Sequence, residues 1–343
     1  MIDDTDSKRD EPDSEDPVVQ SMKPEVIEIL YDRLLGSDSW PVERRLVVDR
    51  SLLVDAITER NRRHKGEKKQ LSTGNAANFL KDFIRKHTCN RNWPKRLASM
   101  RITARQVYGN MQVFEFVPFE PSDTEPFPDR FDPTADLPIF RFESLSIPVE
   151  ARTLGRQDEP WLIQIAVSQR LIETHLAVRA SEFGLSVETL AHLQVSVKTQ
   201  PEIDATFIAT IRSAELKKIR AYVTVEAKQL GERILEHQIR EQVGVAFSFT
   251  SDLTGEDAID AIIPIVIQVV RRPGAATVVE LKRQFVYVAQ FAPIDRVEFV
   301  KKFQGALHDM PLVIQSAALY EACPPISGIS WKPKKISKSK RIS

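Results

Sequence analysis

Asp204, Glu226 and Lys228 are the residues of this chain whose types and spacing could do chemistry together. Asp204 stands at the start of an apolar run over residues 203–211. Glu226 and Lys228 fall in Tyr222-Val223-Thr224-Val225-Glu226-Ala227-Lys228-Gln229. Alternation along a strand puts Tyr222, Thr224, Glu226 and Lys228 on one face and turns Val223, Val225 and Ala227 the other way, into a core. Two carboxylates can hold a divalent cation, and a lysine beside them can act on a nucleophilic water or a charged phosphate. Those are the parts of a metal-dependent phosphodiester hydrolase. Glu202 lies on the same strand face as Asp204 and is the alternative first acid.

Glu-X-Lys recurs in this charged chain, at residues 67–69, 215–217 and 280–282. The first falls in a basic loop and the second in a charged connection, where solvated roles are expected. The third competes, because residues 278–290 read as a strand and Asp260 lies upstream. Glu226 is favoured by the apolar strand directly before it, by the small Ala227 at the middle position and by the helix that follows. That helix carries Ile234, Ile239, Val243 and Phe247 at helical spacing, with Gln238 and Gln242 four apart on one face.

The order of acid, strand, Glu-X-Lys and helix resembles the PD-(D/E)XK nucleases, the restriction-endonuclease-like superfamily, over residues 160–292. The chain departs from the family pattern in having Pro201-Glu202-Ile203-Asp204 where Pro-Asp is usual. The resemblance implies Mg2+, with Mn2+ as the alternative, held by Asp204, Glu226 and the Ala227 carbonyl. It implies that Lys228 positions the attacking water or stabilises the transition state, and that Gln242 contacts the site or the nucleic acid. An acid from the preceding helix is also implied, with Glu173 the candidate and Glu182 the alternative. The activity implied is endonucleolytic cleavage of DNA leaving a 5′-phosphate, in restriction or phage defence. A homodimer and a partner methyltransferase or helicase subunit fit that setting. The competing classes are a repair or recombination nuclease and a non-catalytic DNA-binding protein on a nuclease-like fold.

The elements that must position these residues follow from periodicity. Residues 161–183 read as one long helix with Leu162, Ile165, Ala166, Ile172, Leu176 and Val178 on its apolar face. Strands are expected over 195–199, 203–211 and 221–228, a helix over 232–249, then strands over 261–270 and 277–291. The expected fold class is therefore α/β (α+β): a restriction-endonuclease-like mixed β-sheet core flanked by helices. A mainly helical, winged-helix-like N-terminal domain precedes it. Its signals are two helices over 24–63, a helix over 71–87 capped by Ser72 or Thr73, and a hairpin over 106–117 turning at Gly109-Asn110. The expected domain order is a disordered acidic tail (1–19), the N-terminal domain (20–118), a Pro-rich linker (119–160), the nuclease domain (161–325) and a basic tail (326–343).

Composition narrows the partners. The 343 residues have zero net charge, yet residues 59–105 carry fourteen Lys and Arg against three acids, so neutrality conceals a basic segment. Arg60, Arg62, Arg63, Lys68, Lys69, Arg85, Lys86, Arg91, Lys95, Arg96, Arg101 and Arg105 are the candidate phosphate contacts, with Asn90, Asn92 and Trp93 interleaved for bases or sugars. Two distant cysteines argue against a zinc site or a disulfide scaffold, and with the acidic, polar N-terminus they set the expectation of a reducing cytoplasm without a membrane span. The six histidines show no metal-ligand spacing, and no Gly-X-Ser-X-Gly elbow or Walker-type loop is present.

Overall fold

The structure is a computed structural model, and it describes residues 22–35, 45–66, 70–107, 111–179, 186–199, 201–212, 216–275, 277, 280 and 283–331. The acidic tail, Lys68, Lys69, the Gly109-Asn110 turn, Glu182, Lys282 and the basic tail from 332 onward lie outside the described residues. The chain forms two compact units: Met1–Ile84 with Thr88–Pro128, and Arg85–His87 with Asp129–Ser343. No helix among the described residues is long and apolar enough to cross a membrane.

The first unit runs α1 (Lys23–Leu35), β1 (Leu46–Asp49), α2 (Arg50–Arg63), α3 (Phe79–Ile84), α4 (Cys89–Asn92), α5 (Lys95–Ser99), β2 (Ile102–Gln106) and β3 (Gln112–Pro118). The strands form an antiparallel sheet in the order β1-β3-β2. Asp49 starts α2 by accepting the Leu52 N–H at 2.8 Å, which satisfies one donor left open at the helix start. Ile27, Leu30, Leu53, Ile57, Leu80, Phe114 and Phe116 fill its core. The helix expected over 71–87 is broken: a 3-10 turn at Ala76–Asn78 leads into the six-residue α3, and neither Ser72 nor Thr73 caps it. The four apolar residues that signalled it, Phe79, Leu80, Phe83 and Ile84, are all buried.

The second unit is a curled mixed sheet with helices on its faces. Its elements are β4 (Ile139–Glu143), α6 (Val149–Leu154), α7 (Glu159–Ser168), α8 (Leu171–Arg179), β5 (Ser186–Val197), β6 (Ile203–Arg212), β7 (Lys218–Lys228), α9 (Glu236–Phe249), β8 (Ala261–Arg271), β9 (Gln284–Phe291), β10 (Ile294–Asp295) and β11 (Ile314–Cys323). The sheet order is β4-β11-β9-β8-β7-β6-β5, with β10 pairing an end of β8. β5, β6 and β7 form an antiparallel meander. α9 then carries the chain across to β8, which lies parallel to β7.

Strand alternation separates two cores. Ala205, Phe207, Ala209, Val223, Val225 and Ala227 face α7 and α8. Tyr222 and Ile262 face α9 through Val243, Ala246 and Phe247. Pro264 interrupts the apolar run of β8 where its flank changes partner from β10 to β9, a position where a missing N–H costs least.

Three expectations are corrected here. Residues 119–160 are not a linker: β4 pairs in parallel with β11 over Leu319↔Ile139 to Cys323↔Glu143, and α6 follows. The half-exposed Ile-Phe-Arg-Phe-Glu of β4 lies among prolines, which hides its strand signal. The long helix over 161–183 is two, because Gln169 ends α7 and Arg170 takes a left-handed φ of 53°. The strand expected from 277 begins only at Gln284, so Glu280 precedes it rather than lying on it.

Candidate active site

β6 and β7 pair with Ala205 opposite Val225, so Asp204 and Glu226 stand opposite each other and share the face that α9 covers. Asp204 accepts the Ala227 N–H at 2.8 Å. Lys228 donates to Glu226 Oε1 and to the Ala227 carbonyl at 3.2 Å. α9 supplies two more donors one helical turn apart: Gln238 Nε2 to Glu226 Oε1 and Gln242 Nε2 to Glu226 Oε2. Gln242 Nε2 also reaches the Glu202 carbonyl at 2.8 Å, which ties the helix to the start of β6.

A further acid enters from α7. Asp158 caps that helix by accepting the Trp161 N–H at 3.0 Å, and Glu159 in its first turn lies 3.5 Å from Lys228 Nζ. Arg85 bridges Glu159 and Glu232 at 2.7 Å each, and its carbonyl accepts the Arg233 N–H at 3.0 Å. The chain of contacts therefore runs Arg85, Glu159, Lys228, Glu226 and the glutamine pair.

The electrostatics follow from burial. Glu226 is 2% exposed and Lys228 3% exposed. Burial opposes the Lys228 charge, but Glu226 and Glu159 outweigh it and hold the ammonium above its ordinary value. Asp204 is pushed up to about 7, first by burial and then by the Glu226 carboxylate, against the Ala227 hydrogen bond and Lys228. Glu159 is raised by burial, with Lys228 and Arg85 opposing.

A testable consequence concerns Asp204. Its folded pKa lies above its ordinary value of 3.8, so the native state binds this proton more tightly than the unfolded chain. The stabilising contribution is present below 3.8 and is lost as pH rises toward 7. In chelator-treated protein, Asp204→Asn should match wild type near pH 4 and exceed it in urea resistance near pH 8. An Asp204→Asn variant less stable than wild type at the higher pH would contradict the placement.

The sequence candidates are brought together unequally. Asp204, Glu226, Ala227, Lys228 and Gln242 meet at one place. Glu202 does not: it precedes the first residue of β6, and its carboxylate pairs with Lys198 at 2.6 Å and with Ser196. Glu173 lies on α8, which packs over β5, whereas α7 packs across β6 and β7. The acid of the helical layer that reaches Lys228 is thus Glu159. Its only sequence signal was an acid in a helix first turn, directly before Pro160. Asp260, the partner offered for Glu280, instead accepts the Arg220 N–H at 2.8 Å.

Glu226 and Lys228 stand within the sheet, because β7 is an interior strand between β6 and β8.

The basic segment is partly consumed by internal pairs. Arg60 meets Glu25, Arg63 meets Glu59, Arg96 meets Asp32 and Arg105 meets the buried Glu115. Arg101 donates to the Glu120, Pro121 and Asp123 carbonyls. Arg85 and Lys86 belong to the second unit. Arg62, Arg91 and Lys95 are exposed and form no ion pair among the described residues. Trp93 is 2% exposed and donates to the Ile102 carbonyl, and the Asn90 side-chain amide holds the Phe127 backbone, its Nδ2 donating to the carbonyl and its Oδ1 accepting the N–H. Neither is placed to read a base. Asn92, half-buried, donates to the Thr88 hydroxyl at 3.3 Å.

No protein-family model matches the chain, and neither the curated proteins nor the solved structures contain a match.

Proposed function

We propose that this chain is a Mg2+-dependent endodeoxyribonuclease of the PD-(D/E)XK kind, acting in restriction or phage defence. The observation that carries the reading is the meeting of Asp204, Glu226 and Lys228 on facing positions of β6 and β7. They lie inside the succession of helix α8, the β5-β6-β7 meander, helix α9 and parallel strand β8.

The donor set fits a hard divalent cation. Asp204 and Glu226 offer carboxylate oxygens, and the Ala227 carbonyl follows Glu226 directly on β7, where the Ala227 N–H donates to Asp204. Burial and the second carboxylate leave Asp204 reluctant to ionise alone, which an added positive charge would relieve. Gln238 Oε1 is buried without a hydrogen-bond partner, and Glu226 Oε2 accepts only Gln242 among the described side chains, leaving acceptor capacity. Asp204, Glu226 and Ala227 would hold Mg2+ or Mn2+, which when bound lowers the pKa of a water and neutralises phosphate charge.

The chain's own groups divide the remaining work. Lys228 orients the attacking water and donates to the phosphate as charge builds on its oxygens. Gln238 and Gln242 fix the Glu226 carboxylate, and Glu159 keeps the Lys228 ammonium in place. Water oxygen bonds to phosphorus in line with the departing O3′. The attacking water gives up a proton to solvent, the P–O3′ bond breaks, and the departing 3′-oxyanion takes up a proton, leaving a 5′-phosphate and a 3′-hydroxyl.

The first unit supports duplex binding in this reading. Its order of α1, β1, α2, helical segment, β2 and β3 about a β1-β3-β2 sheet is that of a winged-helix module. Arg62, Arg91 and Lys95 are its candidate phosphate contacts.

Incubation with plasmid DNA tests the whole. Cutting at discrete sites with Mg2+, abolished by chelation, is the expected result. Cutting only at branched or damaged DNA would assign a repair nuclease. No cutting of any DNA with Mg2+ or Mn2+ would leave a non-catalytic protein on this fold.

A further inference from the structure

Among the described residues, one further set of metal-ligating side chains converges in space, away from the acid–lysine site. His87 comes from the short segment Arg85–His87, and Asp129 and Asp132 come from the beginning of the second unit's main body. One ligand atom from each lies within 4.8 Å of the other two. Arg233, with a side chain 4% exposed, donates to Asp129 Oδ1 and orients that carboxylate. Asp129 Oδ2 then faces His87 Nδ1 at 3.6 Å, long for a hydrogen bond. Ligand bonds of about 2.1 Å at a tetrahedral angle place two donor atoms about 3.4 Å apart, close to that spacing. Asp132 is exposed and free to close the remaining distance by side-chain rotation.

A second observation points to a ligand here. His87 and Asp132 line a cavity of about 460 Å³ with Gln268, Gly231 and Arg271 in its wall. Gln268 is 3% exposed. Its Nε2 donates to the Glu232 carbonyl at 2.6 Å, but its Oε1 has no hydrogen-bond partner. Buried amide oxygens are nearly always satisfied, so one left open beside a cavity asks for a donor. A water bound to an ion held by His87 and Asp132 is such a donor.

We propose that His87, Asp129 and Asp132 bind a divalent transition ion of the zinc class, with a water completing its coordination toward Gln268. An imidazole nitrogen beside two carboxylates selects such an ion over Mg2+, which prefers all-oxygen shells and keeps its waters. The ion ties the short segment Arg85–His87 to the rest of the second unit, two residues from Arg85, which bridges Glu159 and Glu232. Its ligands are separate from Asp204 and Glu226, so it does not rest on the nuclease reading.

The test is a Zn2+ titration of full-length, chelator-stripped protein by calorimetry, with millimolar Mg2+ present throughout to occupy all-oxygen sites. One Zn2+ per chain is expected for wild type and for Asp204→Asn. Asp132→Asn and His87→Ala are each expected to weaken binding at least tenfold. Both side chains are exposed, so circular dichroism should show these variants folded. Absence of Zn2+ binding to wild type, or binding that both variants retain, overturns the proposal. Loss of the site in Asp204→Asn with retention in His87→Ala assigns the ion to the acid–lysine site and overturns it as well.

Discussion

Lys228→Met is expected to abolish Mg2+-dependent cleavage, with a rate loss on the order of 10³-fold, since a donor aimed at developing phosphate charge is removed from a buried site. Glu226→Gln should be as inactive, because it removes an anionic oxygen from the cation's donor set. Both single variants should also lose stability. Each leaves one member of a buried ion pair without its partner, a change that costs about 3–5 kcal/mol. Surface pairs are worth far less, and the 2% and 3% exposures of Glu226 and Lys228 place this pair among the buried ones. The double variant Glu226→Gln/Lys228→Met removes both charges and should regain much of that stability while remaining inactive. Urea unfolding and plasmid cleavage together separate the two effects. A single variant that cuts at the wild-type rate would move the chemistry away from β7.

Duplex binding is expected to fall steeply with salt. Three phosphate contacts from Arg62, Arg91 and Lys95 would give a slope of about −2.7 in log affinity against log salt, or about 40-fold between 50 and 200 mM. Fluorescence anisotropy on full-length Lys228→Met, which binds without cutting, measures this directly. Arg91→Ala with Lys95→Ala should reduce the slope by about two and weaken binding to all sequences alike. An unchanged slope in that double variant would leave these cations as solvated surface. The internal pairs of Arg60, Arg63, Arg96 and Arg105 make their contribution to the slope small.

The difference between the twelve cations read from the sequence and the three of the first unit that are exposed with neither an ion pair nor an internal side-chain hydrogen bond among the described residues is instructive. Charge counting sees every Lys and Arg equally, and it cannot see that Arg105 reaches across one strand pair to Glu115. Trp93 shows the same thing among apolar residues. Its aromatic ring lies within 5.0 Å of Phe127, centroid to centroid, in the core of the first unit rather than facing a ligand. In β4, Phe140 and Phe142 alternate with the exposed Ile139, Arg141 and Glu143, but the run is only five residues long and lies among prolines, so a strand held by its pairing with β11 read as a linker.

By itself the sequence determined the face shared by Glu226 and Lys228, the acid at the start of the preceding strand, and Gln238 and Gln242 one helical turn apart. Those relations are local, set by periods of two and about 3.6 residues that any strand or helix imposes. The tertiary structure decided which acid of the helical layer meets Lys228, because α7 and not α8 crosses β6 and β7. It decided that Glu202 turns away to Lys198 and that Arg85 reaches Glu159 over 74 positions of chain. It also brought His87 to Asp129 and Asp132, a set with no spacing signature. Such contacts depend on how finished elements dock, and docking is governed by the fit of whole faces rather than by any pattern within one segment.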